Sequence, residues 1–305
     1  GLGDVYKRQP LATPPPRHGA GARVAEDAAR ALRDAGVHID VLVGHDAVEA
    51  ADLAGKAARG SSDALAVVGG DGTVRLAVEA TIGTGTPLAV IPAGSGNDVA
   101  RTLGIPLGDP RAAAEVIVGG HRRQMDLGRV TFPDGRSALF TTVAATGFDA
   151  SVTERAIGMS WPRGQARYTI AAMRELAALR SRYYQVRVDD ERVEGDVVFA
   201  AVGNTTSYGG GMQITPNASI ADGLLDVTLA HRPARFARAT MARVFPKVFS
   251  GKHITHPTVL TMRGREVELY CDPPALVSVD GDLVGMLPAV FEAVPDAVEV
   301  FVPGH

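Results

Sequence analysis

A single cysteine, Cys271, is the only thiol in the chain, so an internal disulfide and a thiolate metal cluster are both excluded, and the count suits a reducing cytoplasm. Cys271 closes the apolar run Val267-Glu268-Leu269-Tyr270-Cys271 and reads as core rather than as a nucleophile. Charge of one sign is also missing. The 31 basic and 34 acidic residues nearly cancel, which excludes the global field that draws nucleic acid to a whole domain and leaves only local basic surfaces. Aromatic residues make up 5%, but hydrophobic residues are 46% of 305 positions, enough for packed cores in two domains. No run approaches the ~18 consecutive apolar residues of a membrane span; the best, Ala64 to Val68 and Leu88 to Ile91, have strand length. The first nine residues carry Asp4, Lys7 and Arg8 and lack the apolar stretch of about 7–15 residues of a secretory signal. They fit poorly with the Ala/Arg/Val/Gly-rich chain that follows and are expected to be foreign to the domain or disordered.

What is present falls into two textures. From Ala22 to about Asp126 helix and strand alternate. A helix with Val24, Ala28 and Leu32 on one face stops at Gly36, and Val37, Ile39, Val41 and Val43 alternate as a strand. Ala64 to Val68 is a continuous apolar strand, followed by a glycine loop and a helix from about Val74; Pro87 to Ile91 is a strand before a second glycine loop. Such alternation predicts a parallel sheet with helices on its faces and ligands beyond the carboxyl ends of the strands. After about Gly128 the pattern is mostly antiparallel β: Ala138 to Val143, Tyr184 to Val188, Val197 to Val202 and four more strands between Thr258 and Val302, with helices over about Gln165 to Arg180 and Pro233 to Phe249. The expected organisation is an α/β domain over residues 1–128, a β-rich domain over 129–294, a last strand over about 295–305 returning to the first domain, and a site in the cleft between them.

The loop Gly69-Gly70-Asp71-Gly72-Thr73 puts glycines where a strand turns into a helix, so backbone N–H groups can approach phosphate oxygens. A carboxylate beside phosphates repels them unless a cation intervenes, so Asp71 is read either as a magnesium contact or as a helix cap. The second loop, Gly94-Ser95-Gly96-Asn97-Asp98, offers a hydroxyl, an amide and a carboxylate, or an ordinary Asx-capped turn. Neither G-x-x-x-x-G-K-[ST] nor G-x-G-x-x-G occurs in the chain. Two such loops on successive strands of one parallel sheet point to a nucleotide.

With these loops, Met125-Asp126-Leu127-Gly128, Ala145-Thr146-Gly147-Phe148-Asp149, Gly203-Asn204-Thr205, Tyr208-Gly209-Gly210-Gly211, Asp222-Gly223-Leu224-Leu225-Asp226 and Asp280-Gly281-Asp282 follow in order. From about Thr13 to its end the chain resembles the diacylglycerol kinase catalytic-domain family, especially the soluble bacterial enzymes. The resemblance implies an NAD kinase/phosphofructokinase-like α/β domain followed by a β-sandwich, with ATP and Mg2+ as cofactors. It implies that Gly69, Gly70, Gly72, Thr73, Gly94, Ser95 and Asn97 hold the ATP phosphates, and that Asp71, Asp98 and Asp126 form the acidic network around the catalytic magnesium. Asp282 would be the general base with Asp280 beside it, although local chemistry also allows a plain hairpin turn; many relatives have Glu at Asp282, one methylene longer. Ser219, Asp222 and Leu224 would form a structural magnesium loop, or a plain Asp-Gly turn. The chain departs from the family's N-P-x-[SA]-G segment at Thr13-Pro14-Pro15-Pro16-Arg17-His18-Gly19, which puts part of the adenosine contacts at issue.

The acceptor implied is membrane diacylglycerol, phosphorylated by a cytoplasmic protein visiting the inner face of the membrane. Arg232, Arg235, Arg238, Arg243, Lys247 and Lys252 are interleaved with Phe236, Met241, Val244, Phe245, Val248 and Phe249 without an acidic residue. The stretch reads as a surface for anionic lipid or as a helix packed on a sheet. Arg163, Arg167 and Arg174 around Trp161 carry the same two readings. Nucleic acid is not expected as a partner, and a homodimer is the other association considered. The competing functions are kinase of another lipid such as phosphatidylglycerol or a sphingoid base, NAD kinase, and a catalytically inactive nucleotide- or lipid-binding relative.

Overall fold

The computed structural model describes residues 8–13, 20–44, 46–147 and 180–304, with residues 152, 155 and 158 between them. Arg17, His18, the Phe148-Asp149 pair, Trp161 with its neighbouring arginines, and nearly all of the expected Gln165 to Arg180 helix lie outside the described residues. The chain divides into two compact units, Gly1–Asp126 with Asp296–His305, and Leu127–Pro295.

The first unit is built on a parallel sheet in the order β2, β1, β3, β4, with the end of the last strand beside β4. β3 (Leu65–Gly69) and β4 (Leu88–Pro92) are buried at every position, as expected of central parallel strands covered on both faces. β2 (His38–Val43) is the edge: Ile39 is buried while Val41 and Val43 are about half exposed, so the apolar alternation marks a strand without marking a core face. Residues 8–13, within and just beyond the segment expected to be foreign, form β1 (Arg8–Thr13), paired with β2 and β3. α1 (Ala20–Asp34) buries Ala28 and Leu32, and the chain leaves it through Gly36 in the left-handed region. α1 packs with α5 (Pro110–Gly119), and α2 (Ala47–Ala58) packs with α3 (Asp71–Thr81). α3 starts at Asp71 rather than near Val74 because Gly70 takes the extended N-cap conformation and its carbonyl accepts from Thr73 and Val74.

The second unit is antiparallel. β14 (Asp282–Met286), β13 (Leu276–Val279), β7 (Val143–Gly147), β9 (Glu191–Gly203), β8 (Arg182–Val188), β12 (Glu266–Asp272) and the first part of β15 (Ala289–Phe301) follow one another in pairing order. β10 (Leu225–His231) pairs with β9 and with β11 (Val259–Gly264), and β5 (Arg122–Thr131) forms a hairpin with β6 (Ser137–Phe140). β7 is buried throughout because both its faces are covered. Ala144 joins one apolar cluster with Tyr184, Leu225 and Phe291, while Val143 and Ala145 join another with Phe199, Met241 and Val248. The expected helix over Pro233 to Phe249 is shorter: α6 (Ala237–Val244) passes into a 3-10 turn, Phe245–Ser250. Pro246 lacks the N–H that an α-helix would need there, and Gly251 ends the turn with a positive φ. Cys271 is buried, donates its thiol to the Pro273 carbonyl, and has a pKa raised by burial, as a core residue should.

Candidate active site

β3 and β4 are paired residue for residue, Val67 with Val90 and Gly69 with Pro92, so the loops that leave them meet at the same sheet end. They touch backbone to backbone. A Cβ built on Gly94 would lie 2.4 Å from the Gly70 Cα, so that position requires glycine for lack of space, and a Cβ on Gly70 would press on the Gly94 Cα at 3.0 Å. A cavity of about 530 Å3 opens there, lined by Gly70 to Thr73 of one loop, Gly94 to Gly96 of the other, and Arg75. A Cβ on Gly72 would meet nothing within 4 Å, so its side stays open to an approaching oxygen.

Asp71 ties the loops together. Its Oδ1 accepts from the Val99 N–H at 3.1 Å, and the Asp98 and Asn97 amides also favour its charged form. It therefore caps α4 (Asp98–Thr102), the helix of the neighbouring loop, while standing in the first turn of α3. Burial nevertheless raises its pKa, and the nearby Asp98 charge pushes it further up. A desolvated carboxylate with a second carboxylate close by, beside a glycine cradle, is a donor set that suits a dication shared with phosphate oxygens. Asn97 has a different part to play. In the left-handed conformation, its Oδ1 accepts from the Gly94 N–H at 2.9 Å and its Nδ2 donates to the Gly94 carbonyl at 2.8 Å, closing the loop on itself. Ser95 is exposed at the rim.

Asp126 is 1% exposed and its Oδ1 accepts from the Asp296 N–H at 2.8 Å, anchoring the returning end of β15. Among the described residues no three His, Cys, Asp or Glu side chains converge as a metal-holding group; Asp98 is the carboxylate whose charge is felt by Asp71. Arg75, which the motif reading does not single out, lines the same cavity. Its spacing is the available signal: four residues after Asp71 places both on one side of α3.

In the second unit, Asp280 and Gly281 have positive φ and form the turn between β13 and β14, with Val279 paired to Asp282. The turn is a hairpin, and it is also clamped. The Asp280 carboxylate accepts four hydrogen bonds: from the N–H and Oγ1 of Thr141 at 2.8 and 3.0 Å, and from the N–H and Oγ1 of Thr142 at 2.8 and 2.6 Å. Asn204, wholly buried, donates to the Thr141 carbonyl at 3.0 Å and supports the clamp from behind. Asp280 thus spends its acceptor capacity on the fold, whereas Asp282 is exposed at the start of β14.

Ser219, Asp222 and Leu224 share one turn, in which Asp222 Oδ1 accepts from the Leu224 N–H at 3.1 Å. Arg263 faces them: Nη1 is 3.5 Å from Asp222 Oδ2, Nε donates to Asp226 at 3.0 Å, and Nη2 donates to the Asn217 carbonyl. The guanidinium therefore stands beside the Asp222 turn while being held by Asp226 and Asn217.

The diacylglycerol kinase catalytic domain family matches residues 15–130, and the YegS C-terminal NAD kinase beta sandwich-like domain matches residues 142–302. A Mycobacterium tuberculosis (H37Rv) protein named diacylglycerol kinase is 42% identical over 303 residues, 99% of this chain and 97% of the relative. One of the same name from Bacillus subtilis (strain 168) is 29% identical over 261 residues, 84% of this chain and 82% of the relative. The crystal structure of a diacylglycerol kinase from Bacillus anthracis (Sterne) superposes with a TM-score of 0.73 at 18% identity, covering 98% of each chain. No helix among the described residues is long and apolar enough to cross a membrane. With both halves matched and near-complete coverage by the mycobacterial relative, the chain belongs to the diacylglycerol kinase catalytic-domain family of lipid kinases.

Proposed function

We propose that this chain transfers the γ-phosphoryl group of ATP to the free hydroxyl of 1,2-diacylglycerol, giving phosphatidic acid and ADP. The observation that carries the nucleotide half is the glycine cradle of Gly70, Gly72 and Gly94 around the desolvated Asp71, next to Asp98. Backbone N–H groups there suit phosphate oxygens, and Arg75 places a cation in the same cavity. Asp71 and Asp98 are the residues that would hold magnesium, which when bound neutralises charge on the transferring phosphoryl group. The lipid half rests on the family and on the printed name of the mycobacterial relative.

The lipid hydroxyl oxygen forms the new bond to phosphorus as the bond to ADP breaks, and its proton must go to a base. Asp282 is our candidate for that base, and Asp280 positions it. One methylene shorter than glutamate, Asp282 reaches the hydroxyl either directly or through one water. The protein works from the water side as a peripheral visitor to the inner face of the membrane.

The test is radiolabelled ATP with magnesium offered separately to diacylglycerol micelles, phosphatidylglycerol, a sphingoid base and NAD. Labelled phosphatidic acid is expected, and Asp282→Asn is expected to lose it by about a hundredfold or more while keeping ATP binding and melting temperature. Product from another acceptor alone overturns the substrate. No product from any acceptor means an inactive nucleotide- or lipid-binding relative, and near-normal turnover by the Asn variant overturns the base.

A further inference from the structure

Between Asp226 and Glu266 the chain contains no carboxylate, although the whole protein carries a net charge of -3. α6 and the 3-10 turn that follows lie in this stretch, and their apolar positions divide sharply. Met241, Val244 and Val248 are buried, Met241 and Val248 in the cluster that also holds Val143 and Ala145. The inward face of the amphipathic pattern is therefore consumed by the sheet. Phe236 and Phe249 point the other way, 84% and 56% exposed. Arg235, Arg238, Arg243 and Lys247, all exposed, lie beside them in sequence.

Phe236 breaks two local rules at once. It occupies the N-cap of α6, where Ser, Thr, Asp or Asn would satisfy a free N–H, and it does so at φ +50°, a conformation that L side chains other than Asn and Asp rarely adopt. It makes no side-chain cap. A large aromatic held in an unfavourable conformation and left in water opposes folding, so its use lies outside the fold.

We infer that the segment from Arg235 to Phe249 is the membrane-docking surface of this protein: Phe236 and Phe249 enter the headgroup boundary of an anionic bilayer while the arginines and Lys247 meet its phosphates. Aromatic side chains with flanking cations suit that interface, where the ring leaves water and the cation faces anionic lipid. The inference rests on the lipid-kinase reading for its purpose, but not for its physics. The surface belongs to the unit that carries the Asp280 clamp, and its buried side shares an apolar cluster with Val143 and Ala145 of β7, whose first carbonyl, that of Val143, accepts from the Asp280 N–H.

The experiment is flotation of the full chain, without nucleotide, with vesicles of phosphatidylcholine alone or containing phosphatidylglycerol. The parent is expected to bind the anionic vesicles and to lose binding as salt rises. Phe236→Asn combined with Phe249→Ser is expected to weaken binding by about tenfold or more; asparagine suits the left-handed N-cap, so this variant folds at least as well. Arg238→Glu with Arg243→Glu is expected to abolish the preference for anionic vesicles. Both variants should keep parental turnover on short-chain diacylglycerol dispersed in neutral detergent micelles. Vesicle binding within about twofold of the parent in the aromatic variant overturns the inference, whatever the kinase assay gives. A parent that binds vesicles through these residues but phosphorylates no lipid leaves the surface standing and overturns the proposed reaction instead.

Discussion

At the scale of single residues, Asp71 serves two demands that pull in opposite directions. Its hydrogen bond to Val99 holds α4 in place, while its charge is desolvated and repelled by Asp98. Its folded pKa lies above the ordinary 3.8, so the folded protein binds more protons than the unfolded chain. The stabilisation this gives is complete below the unfolded value and is lost as pH rises through the raised pKa. At neutral pH, with no cation bound, the ionised group works against folding. Asp71→Asn keeps an acceptor for Val99 and removes the charge. We expect it to melt no lower than the parent at pH 7, to show a flatter melting-temperature profile from acid to neutral pH, and to lose turnover by about a hundredfold. Thermal melts across pH beside a kinase assay check this, and a lower melting temperature at pH 7 counts against it. Asp71 could be picked from the sequence because a carboxylate between glycines is chemically odd. Its bond to Val99 could not, since 28 positions separate them. The Asp280 clamp on Thr141 and Thr142 was hidden for the same reason across 139 and 138 positions, as was the Arg263 partner of Asp222. Local chemistry displays a residue's type, but only the fold brings its distant partner.

At the scale of elements, the legible parts are those whose signal is local. β3 and β4 announce themselves as short apolar runs that lead into glycine loops, and Gly36 announces the end of α1. The extent of α6 was not legible, because the apolar spacing continues past Val244 while Pro246 ends the α-helical hydrogen bonding. The depth to which the glycine loops interpenetrate is equally invisible in one dimension. With 2.4 Å between a Gly94 Cβ and the Gly70 Cα, the Gly94→Ala variant must separate the loops, since the obstacle is backbone. We expect it to cost about 1–3 kcal/mol of stability as an overpacked site and to weaken nucleotide binding by about tenfold or more. Gly72→Ala, with open space around it, should melt like the parent. Calorimetric nucleotide titration and thermal melts of the two variants separate these outcomes; equal behaviour would mean the loops do not depend on their contact.

At the scale of the molecule, the second unit is spliced into the first. The chain leaves the first unit after Asp126 and returns at Asp296, and the two points of passage are hydrogen-bonded to each other. The segment that returns is short but deeply placed: Val298, Val300 and Phe301 are buried, and Arg122 pairs with Glu299 while stacking on Phe301. Three buried apolar side chains at about 1.5–3 kcal/mol each approach the whole stability of a typical domain, about 5–15 kcal/mol. Ending the chain after Pro295 should therefore unfold the first unit and leave the second intact. Hydrogen exchange read by mass spectrometry checks this. β3 and β4 are expected to lose protection while β9 and β10 keep theirs, and protection surviving in β3 would show that the returning strand is dispensable.

That splice also orders events on the ribosome. Residues 127–295 have all been synthesised before Val298, Val300 and Phe301 exist, so the inserted unit can close while its host still waits for its last strand. The scaffold that carries the glycine cradle is thus completed only after the inserted unit has been made. A chain released just after Pro295 would hold the whole inserted unit while the sheet behind the glycine cradle still lacked its returning strand, so that short strand acts as a late checkpoint on the site it supports.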